Sequence, residues 1–437
     1  MVTSTVAHAW FKRGKGASSK RSYDCTAMVP AQEPRVVSTA VAFPPNKYLQ
    51  EEVLDAFLSR HELTPQDADW VTRVFRATGI KTCSFFLPKE RLFEKMSRVQ
   101  YVEYVRSGLF QLGVEAARKA IRDWGGDVQD ITHIIWGTMT GTIHAPTMDT
   151  YLARELGLRA DIRRLNVESM GCLTGFRCLA LASELAAARP GNTVLTVVCD
   201  IRSALGNQLT AHAAGAPVDR TNVIASCLFR DSGGAAIVAV PQQQQQRAAP
   251  QAAPALPSSW RRHARLARAV APAEAGCGSG PGQALLPQYD IIDSRSLLVP
   301  GSEHLVQYGE REGESIHLFI AKELPDRVKQ ALPDIVKELL APHGLTPSDC
   351  CFAVHTGGPK ILEKAAAALG VSADSMQASW EVMEAQGNLS GASNLVVLDR
   401  VRRMAGSGQG IYAAKRHCIC ISMGPGVGIE TILLRRA

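Results

Sequence analysis

The 437-residue chain contains two stretches that end alike, and this repetition restricts its fold more than any other feature. One closes with Phe229-Arg-Asp-Ser-Gly-Gly-Ala-Ala-Ile-Val-Ala-Val, the other with Ser422-Met-Gly-Pro-Gly-Val-Gly-Ile-Glu-Thr-Ile-Leu-Leu. Each is a glycine-rich turn running into an apolar, β-prone segment. Ahead of the first ending, residues 131–136 and 193–199 read as buried strands. A helix over 173–189 lies between them and is stopped by Pro190-Gly191. Ahead of the second ending, residues 351–355 and 418–422 read as strands, and 360–369 and 393–404 as helices. Such alternation gives an α/β fold of sheets covered by helices, and the shared ending makes it a duplicated unit.

The two units span residues 34–240 and 290–437. Between them, residues 241–289 open with Pro241 and five glutamines and continue rich in Ala, Pro, Arg and Gly. That composition cannot bury enough apolar surface to offset its chain entropy, so a disordered insertion is expected. Residues 1–33 are Ser-rich, basic and poor in acids, as in an organelle transit peptide or a disordered tail. The expected location is cytoplasmic, or an organelle if residues 1–33 act as a transit peptide.

Charge narrows the function classes. Of the formal net charge of +7, residues 1–23 carry +5 and residues 241–289 carry +4, leaving −2 for the rest. A nearly neutral body gives no basic groove for nucleic acid. A hydrophobic content of 46% excludes a wholly disordered chain, and no run of about 18 apolar residues offers a membrane span. The eleven cysteines show no Cys-x-x-Cys spacing, which disfavours a structural zinc site or a disulfide framework. Most read as small buried hydrophobes.

Cys172 reads differently. It sits in Val167-Glu-Ser-Met-Gly-Cys-Leu-Thr-Gly, where an extended approach meets a helix. Unpaired N–H groups at a helix N-terminus favour an anion and lower a thiol pKa from about 8.5 to roughly 3.5–7.5. A buried cysteine that merely starts a helix is the alternative. His355 ends an apolar strand before Thr-Gly-Gly-Pro-Lys-Ile-Leu, at a position where α/β folds present functional side chains. Asn388 lies in Gly387-Asn-Leu-Ser-Gly-Ala-Ser, a loop entering a helix. Taken singly, both also fit structural roles.

Together these segments resemble the type III polyketide synthases, the chalcone-synthase-like branch of the thiolase superfamily. The similarity runs from about Arg73 to Leu434, interrupted by residues 241–289. It is carried by the Met-Gly-Cys segment at Cys172, His355-Thr-Gly-Gly-Pro-Lys-Ile-Leu, Gly387-Asn388-Leu-Ser-Gly-Ala-Ser and Gly424-Pro425-Gly426. The resemblance implies a homodimer with the duplicated αβαβα layered fold, and Cys172, His355 and Asn388 as catalytic residues. It implies a starter acyl-CoA held on Cys172 and extended by malonyl-CoA; both are substrates, and no metal or redox cofactor is required.

Further positions follow from the resemblance. Phe229 matches a gatekeeping phenylalanine, and Ile316 or Leu318 falls where the family has its second. Met139, Thr140 and Gly141 match a cavity-lining segment, Ser203 a position that tunes starter choice, and Ser390 a site beside the nucleophile. His144 matches a residue passed into the neighbouring subunit's cavity. Arg73, Arg76, Lys81 and Lys360 are expected partners for coenzyme A phosphates. The nearest alternative is a ketoacyl-carrier-protein synthase III, which shares Cys, His and Asn but lacks Gly-Gly-Pro-Lys and performs one extension. A non-catalytic scaffold bound through the basic insertion is the other.

Overall fold

The computed structural model describes residues 33–94, 96–141, 145–203, 220–241, 286–311, 314–408 and 410–437; for 310, 311 and 314–317 it describes the backbone alone. The expected tail up to residue 32 and the insertion over 242–285 lie outside the described residues. The described strands are β1 (Arg35–Ala42), β2 (Asn46–Leu49), β3 (Thr82–Phe85), β4 (His133–Thr138), β5 (Arg163–Glu168), β6 (Thr193–Asp200) and β7 (Ser232–Ala239). They continue with β8 (Tyr289–Leu298), β9 (Val306–Arg311), β10 (Glu314–Ile320), β11 (Cys350–Val354), β12 (His417–Gly424) and β13 (Gly428–Arg436). Nine of them form one sheet in the order β11-β12-β13-β8-β1-β7-β6-β4-β5. The pairs β9–β10 and β2–β3 stand apart as ribbons.

The duplication is visible in the pairing. β7 runs antiparallel to β1 and β6, and β13 antiparallel to β8 and β12. β6–β4 and β12–β11 are parallel. The two glycine-rich endings therefore feed strands in equivalent places. The halves meet where Arg35 and Val36 of β1 pair with Asp290 and Tyr289 of β8, with Arg35 Nε donating to Asp290 Oδ1 at 2.6 Å.

Helix placement follows composition. The helix Thr174–Ala188 is made of small and apolar residues on most sides, which suits a fully enclosed position. It packs on β4, β6 and β7 of its own half and on β12 and β13 of the other. The helix Ser393–Gly406 lies beside it against β1, β7, β11 and β12. Arg98–Trp124 covers the outer face at β1, β6 and β7, and Leu324–Leu340 the outer face at β8 and β13. The last is amphipathic, burying Val328, Leu332, Ile335, Val336 and Leu339. The result is five layers, αβαβα. β4 and β6 are buried at every position, as strands covered on both faces must be.

The sequence placed the first of these strands over 131–136; it starts at His133 instead. Asp127 caps a short turn over Val128–Asp130, its carboxylate accepting from the Gln129 N–H at 2.9 Å, and this delays the strand. Among the described residues no helix is long and apolar enough to cross a membrane. Eight of the nine described cysteines are buried, Cys172 is partly accessible, and none of the nine is in a disulfide.

Candidate active site

Cys172 is delivered by a tight turn at the end of β5. Ser169 and Gly171 take left-handed backbone angles (φ 64° and 58°), and Gly171–Leu173 forms one 3-10 turn that runs into the helix Thr174–Ala188. A side chain at 171 is excluded, because its Cβ would sit 2.4 Å from the Pro425 ring. The second half also fixes the turn directly: Asn394 Nδ2 donates to the Cys172 carbonyl at 2.9 Å.

His355 follows β11. Its N–H donates to Ile421 O at 2.9 Å and its carbonyl accepts from Gly357 N at 2.8 Å, which sets the ring at the strand end. Asn388 is held by a two-residue bridge to the first half. Its N–H donates to Leu228 O and its carbonyl accepts from Arg230 N, both at 2.9 Å, on either side of Phe229. Asn388 Oδ1 accepts from Ser390 N at 2.8 Å, an assignment that leaves the amide nitrogen as the free donor. Cys172, His355 and Asn388 line one cavity of about 620 Å³. Its wall is largely apolar, with Met139, Ile224, Leu228, Leu318 and Ile320 among the contributors.

Burial governs the resting charges. It pushes the Cys172 thiol up to about 12, although the positive charge of Arg202 and the Ser390 hydroxyl oppose it. It also pulls the His355 imidazole down to about 3. The thiol lowered by its helix terminus, expected from sequence, is therefore corrected: desolvation by the surrounding chain outweighs the terminus. A proton passed from thiol to imidazole would place opposite charges in the same cavity, and their attraction offsets part of the desolvation that disfavours each. Among the described residues neither ring nitrogen of His355 has a hydrogen-bond partner.

Two family descriptions match consecutive parts of the chain: chalcone and stilbene synthases, N-terminal domain, over residues 25–241, and C-terminal domain, over residues 290–437. The chain belongs to the chalcone and stilbene synthase family. It is thus a type III polyketide synthase, one of the acyltransferase-type condensing enzymes. Its fold is shared with the C-terminal type III polyketide synthase domain of Steely1, a type I/III hybrid from Dictyostelium. That pair has a TM-score of 0.72 at 23% identity, covering 92% of this chain and 99% of that one. A fungal type III polyketide synthase, ORAS, gives 0.73 at 21% identity, covering 93% and 100%.

Other expected positions in the synthase divide into those the cavity brings together and those it does not. Phe229, Met139, Leu318, Ser390 and Lys360 line it. Thr140 and Ser203 are not among the lining residues. The Thr140 hydroxyl is turned to Asp200 (3.3 Å) and to the Ile201 N–H (3.0 Å), and the Ser203 hydroxyl donates to Asp231 Oδ2 at 2.5 Å. The cavity is lined instead by Arg202, one residue before Ser203. Just beyond the end of β6 the two adjacent residues serve different sides, Arg202 the cavity wall and Ser203 the Asp231 carboxylate. Gly141 borders a separate small pocket beside Glu168, where a Cβ would meet Glu168 Oε2 at 2.9 Å. His144 lies outside the described residues, as does the side chain of Ile316.

Arg73, Arg76 and Lys81 are solvent-exposed and do not line the cavity. Each already faces a carboxylate: Asp69 at 2.5 Å, Glu51 at 3.1 Å and Glu384, respectively. Val74 and Ala77, from the same helix Pro65–Ala77 as the two arginines, reach the cavity with their apolar side chains. Lys322, which sequence reasoning missed, joins Lys360 on the cavity lining. Its signal was available, since Lys322 lies only four residues beyond Leu318, one of the two positions matched to the second gatekeeper.

Proposed function

We propose that the synthase loads an acyl-CoA starter onto Cys172, extends it repeatedly with malonyl-CoA, and cyclises the product to a pyrone, resorcinol or phloroglucinol. The observation that carries this reading is the convergence of Cys172, His355 and Asn388 on one apolar cavity. His355 accepts the Cys172 proton, and the thiolate attacks the starter thioester, forming the acyl-enzyme and releasing coenzyme A. Malonyl-CoA then loses CO2. The resulting enolate carbon attacks the acyl thioester, forming the C–C bond and expelling the Cys172 sulfur as thiolate. The Asn388 amide nitrogen and the N–H of the neutral His355 ring are the donors for the thioester oxygens that gain negative charge, each worth about 2.7–4 kcal/mol. These steps use only the two CoA thioesters as substrates and require no further cofactor. A homodimer is the proposed working form.

The test is incubation with malonyl-CoA and acetyl, medium-chain, long-chain and aromatic CoA starters, with products and the acyl adduct on Cys172 read by mass spectrometry. Products of two or more extensions support the reading. A single extension that depends on a carrier protein overturns it in favour of a synthase III-like enzyme.

Asn388→Ala is expected to lower malonyl-CoA decarboxylation by about a hundredfold while slowing starter loading much less, because the amide acts on the malonyl thioester. Separate assays of CO2 release and of Cys172 acylation check this; equal loss in both contradicts the role.

Lys322 and Lys360 are proposed as the first phosphate contacts of coenzyme A, since both are exposed on the cavity lining. Replacing both by alanine is expected to raise KM for acyl-CoA about tenfold with kcat nearly unchanged, an effect that shrinks as salt is added. Steady-state kinetics at two ionic strengths decides it.

A further inference from the structure

Arg202 lines the same cavity yet has no role in the chemistry described above. Only 4% of it is solvent-exposed. Its guanidinium carbon lies 4.4 Å from the centre of the Phe229 ring and 5.5 Å from that of Tyr308, so two aromatic faces hold it in place. Among the described residues, Nε and Nη1 have no hydrogen-bond partner. The nearby carboxylates are engaged elsewhere. Asp200 accepts from Thr138, Met139, Thr140 and Gly391, and Asp231 accepts from Phe86, Ser203 and the backbone N–H of Arg202 but not from its guanidinium. Asp200 attracts the guanidinium electrostatically without accepting a hydrogen bond from it, and two planar donors left unpaired in a buried site are costly unless a ligand accepts from them. Aromatic contacts offset part of that cost but satisfy none of the donors.

We propose that Arg202 is a specificity-determining residue that pairs with an anionic oxygen within the acyl chain occupying the cavity. This inference rests on the reading that the acyl chain is held there on Cys172. The chemistry has two sources: a carboxylate carried by the starter, or the enolised β-diketone of an extended chain. Both present oxygen acceptors to a fixed guanidinium plane in a largely apolar chamber.

The experiment compares wild type, Arg202→Gln, Arg202→Met and Arg202→Lys with glutaryl-CoA and with uncharged hexanoyl-CoA. Cys172 acylation is measured without malonyl-CoA, and product lengths with it. With the starter as source, wild type prefers glutaryl-CoA, and Gln or Met lowers the glutaryl-to-hexanoyl acylation ratio about tenfold or more, with Lys intermediate. With the extended chain as source, that ratio is unmoved, but Gln and Met shift products to fewer extensions and Lys partly restores them. Folded Gln and Met variants that change neither ratio nor product length overturn the proposal. If neither variant folds, wild type decides alone. Absence of a glutaryl preference together with no product beyond the diketide overturns it. Failure of wild type to acylate Cys172 with any starter is a distinct result, which removes the underlying reading instead.

Discussion

Cys172→Ala is expected to abolish both starter acylation and product formation, lowering condensation by about a thousandfold or more. The side chain is small and sits on a turn fixed by Asn394 and Pro425, so the variant keeps its fold while losing the nucleophile. His355→Ala separates the two contributions to thiol activation. Without the imidazole, burial holds the thiol near 12 against the opposing pull of Arg202 and Ser390, so its alkylation by iodoacetamide rises about tenfold per pH unit from pH 6 to pH 9. In wild type, the proton passes to the neutral ring, and alkylation at pH 7 exceeds that of the variant by at least about tenfold. Taken singly, both shifts oppose the transfer, because a raised thiol holds its proton and a lowered imidazole binds one weakly; the gain therefore measures the attraction between the opposite charges that the transfer creates. The ring is neutral down to about pH 3, so it can take the proton across the whole range assayed. Peptide mass spectrometry of Cys172 over this pH range checks it; superimposable wild-type and His355→Ala profiles would falsify the proton-transfer role.

The strand–helix alternation and the duplication were legible in the sequence because they rest on local patterns, whereas the five layers and the shared cavity came only with the family resemblance. The short, β-branched run Val194-Leu-Thr-Val-Val-Cys reads as a strand buried on both faces, and Thr174–Ala188 has too few polar positions to be a surface helix. The cavity residues Cys172, His355 and Asn388 each sit where a strand or turn meets a helix, so motif and boundary coincide. What escaped was whatever depends on orientation across a few residues or on contacts far apart in the chain. Ser203 and Arg202 are adjacent, and only the path of the chain beyond β6 decides which one faces the cavity. Arg73 and Arg76 lie on a helix whose cavity-facing residues are Val74 and Ala77, while their own partners, Asp69 and Glu51, are set by packing. The resting protonation of Cys172 escaped for the same reason, since desolvation is a sum over neighbours from both halves.

Asp231→Ala is expected to have the largest effect on stability of any single change near the cavity. The sequence shows Asp231 only as part of the first glycine-rich ending. In the fold its carboxylate is fully buried and accepts four hydrogen bonds. They come from Phe86 N at 2.7 Å, Arg202 N at 2.5 Å, Ser203 N at 2.7 Å and Ser203 Oγ at 2.5 Å. It therefore ties the end of β3 to the segment that carries Arg202. Its neighbour Arg230 does the complementary task, with Nη1 and Nη2 donating to the carbonyls of Ser226 and Cys227 that close the helix Arg220–Leu228. Alanine at 231 would orphan four donors at once. Each unpaired buried group costs about 1–3 kcal/mol, and water entering the gap recovers part of the total, so a loss of about 3 kcal/mol or more is expected. Asn at 231 can still accept through one oxygen but turns an NH2 toward donors, so it is expected to fall between wild type and Ala. Urea unfolding measures the loss, and starter acylation of the folded fraction measures whether the Arg202 segment stays in place. A drop below about 1 kcal/mol for Asp231→Ala, with acylation selectivity unchanged, would show that the four bonds do not hold that wall of the cavity.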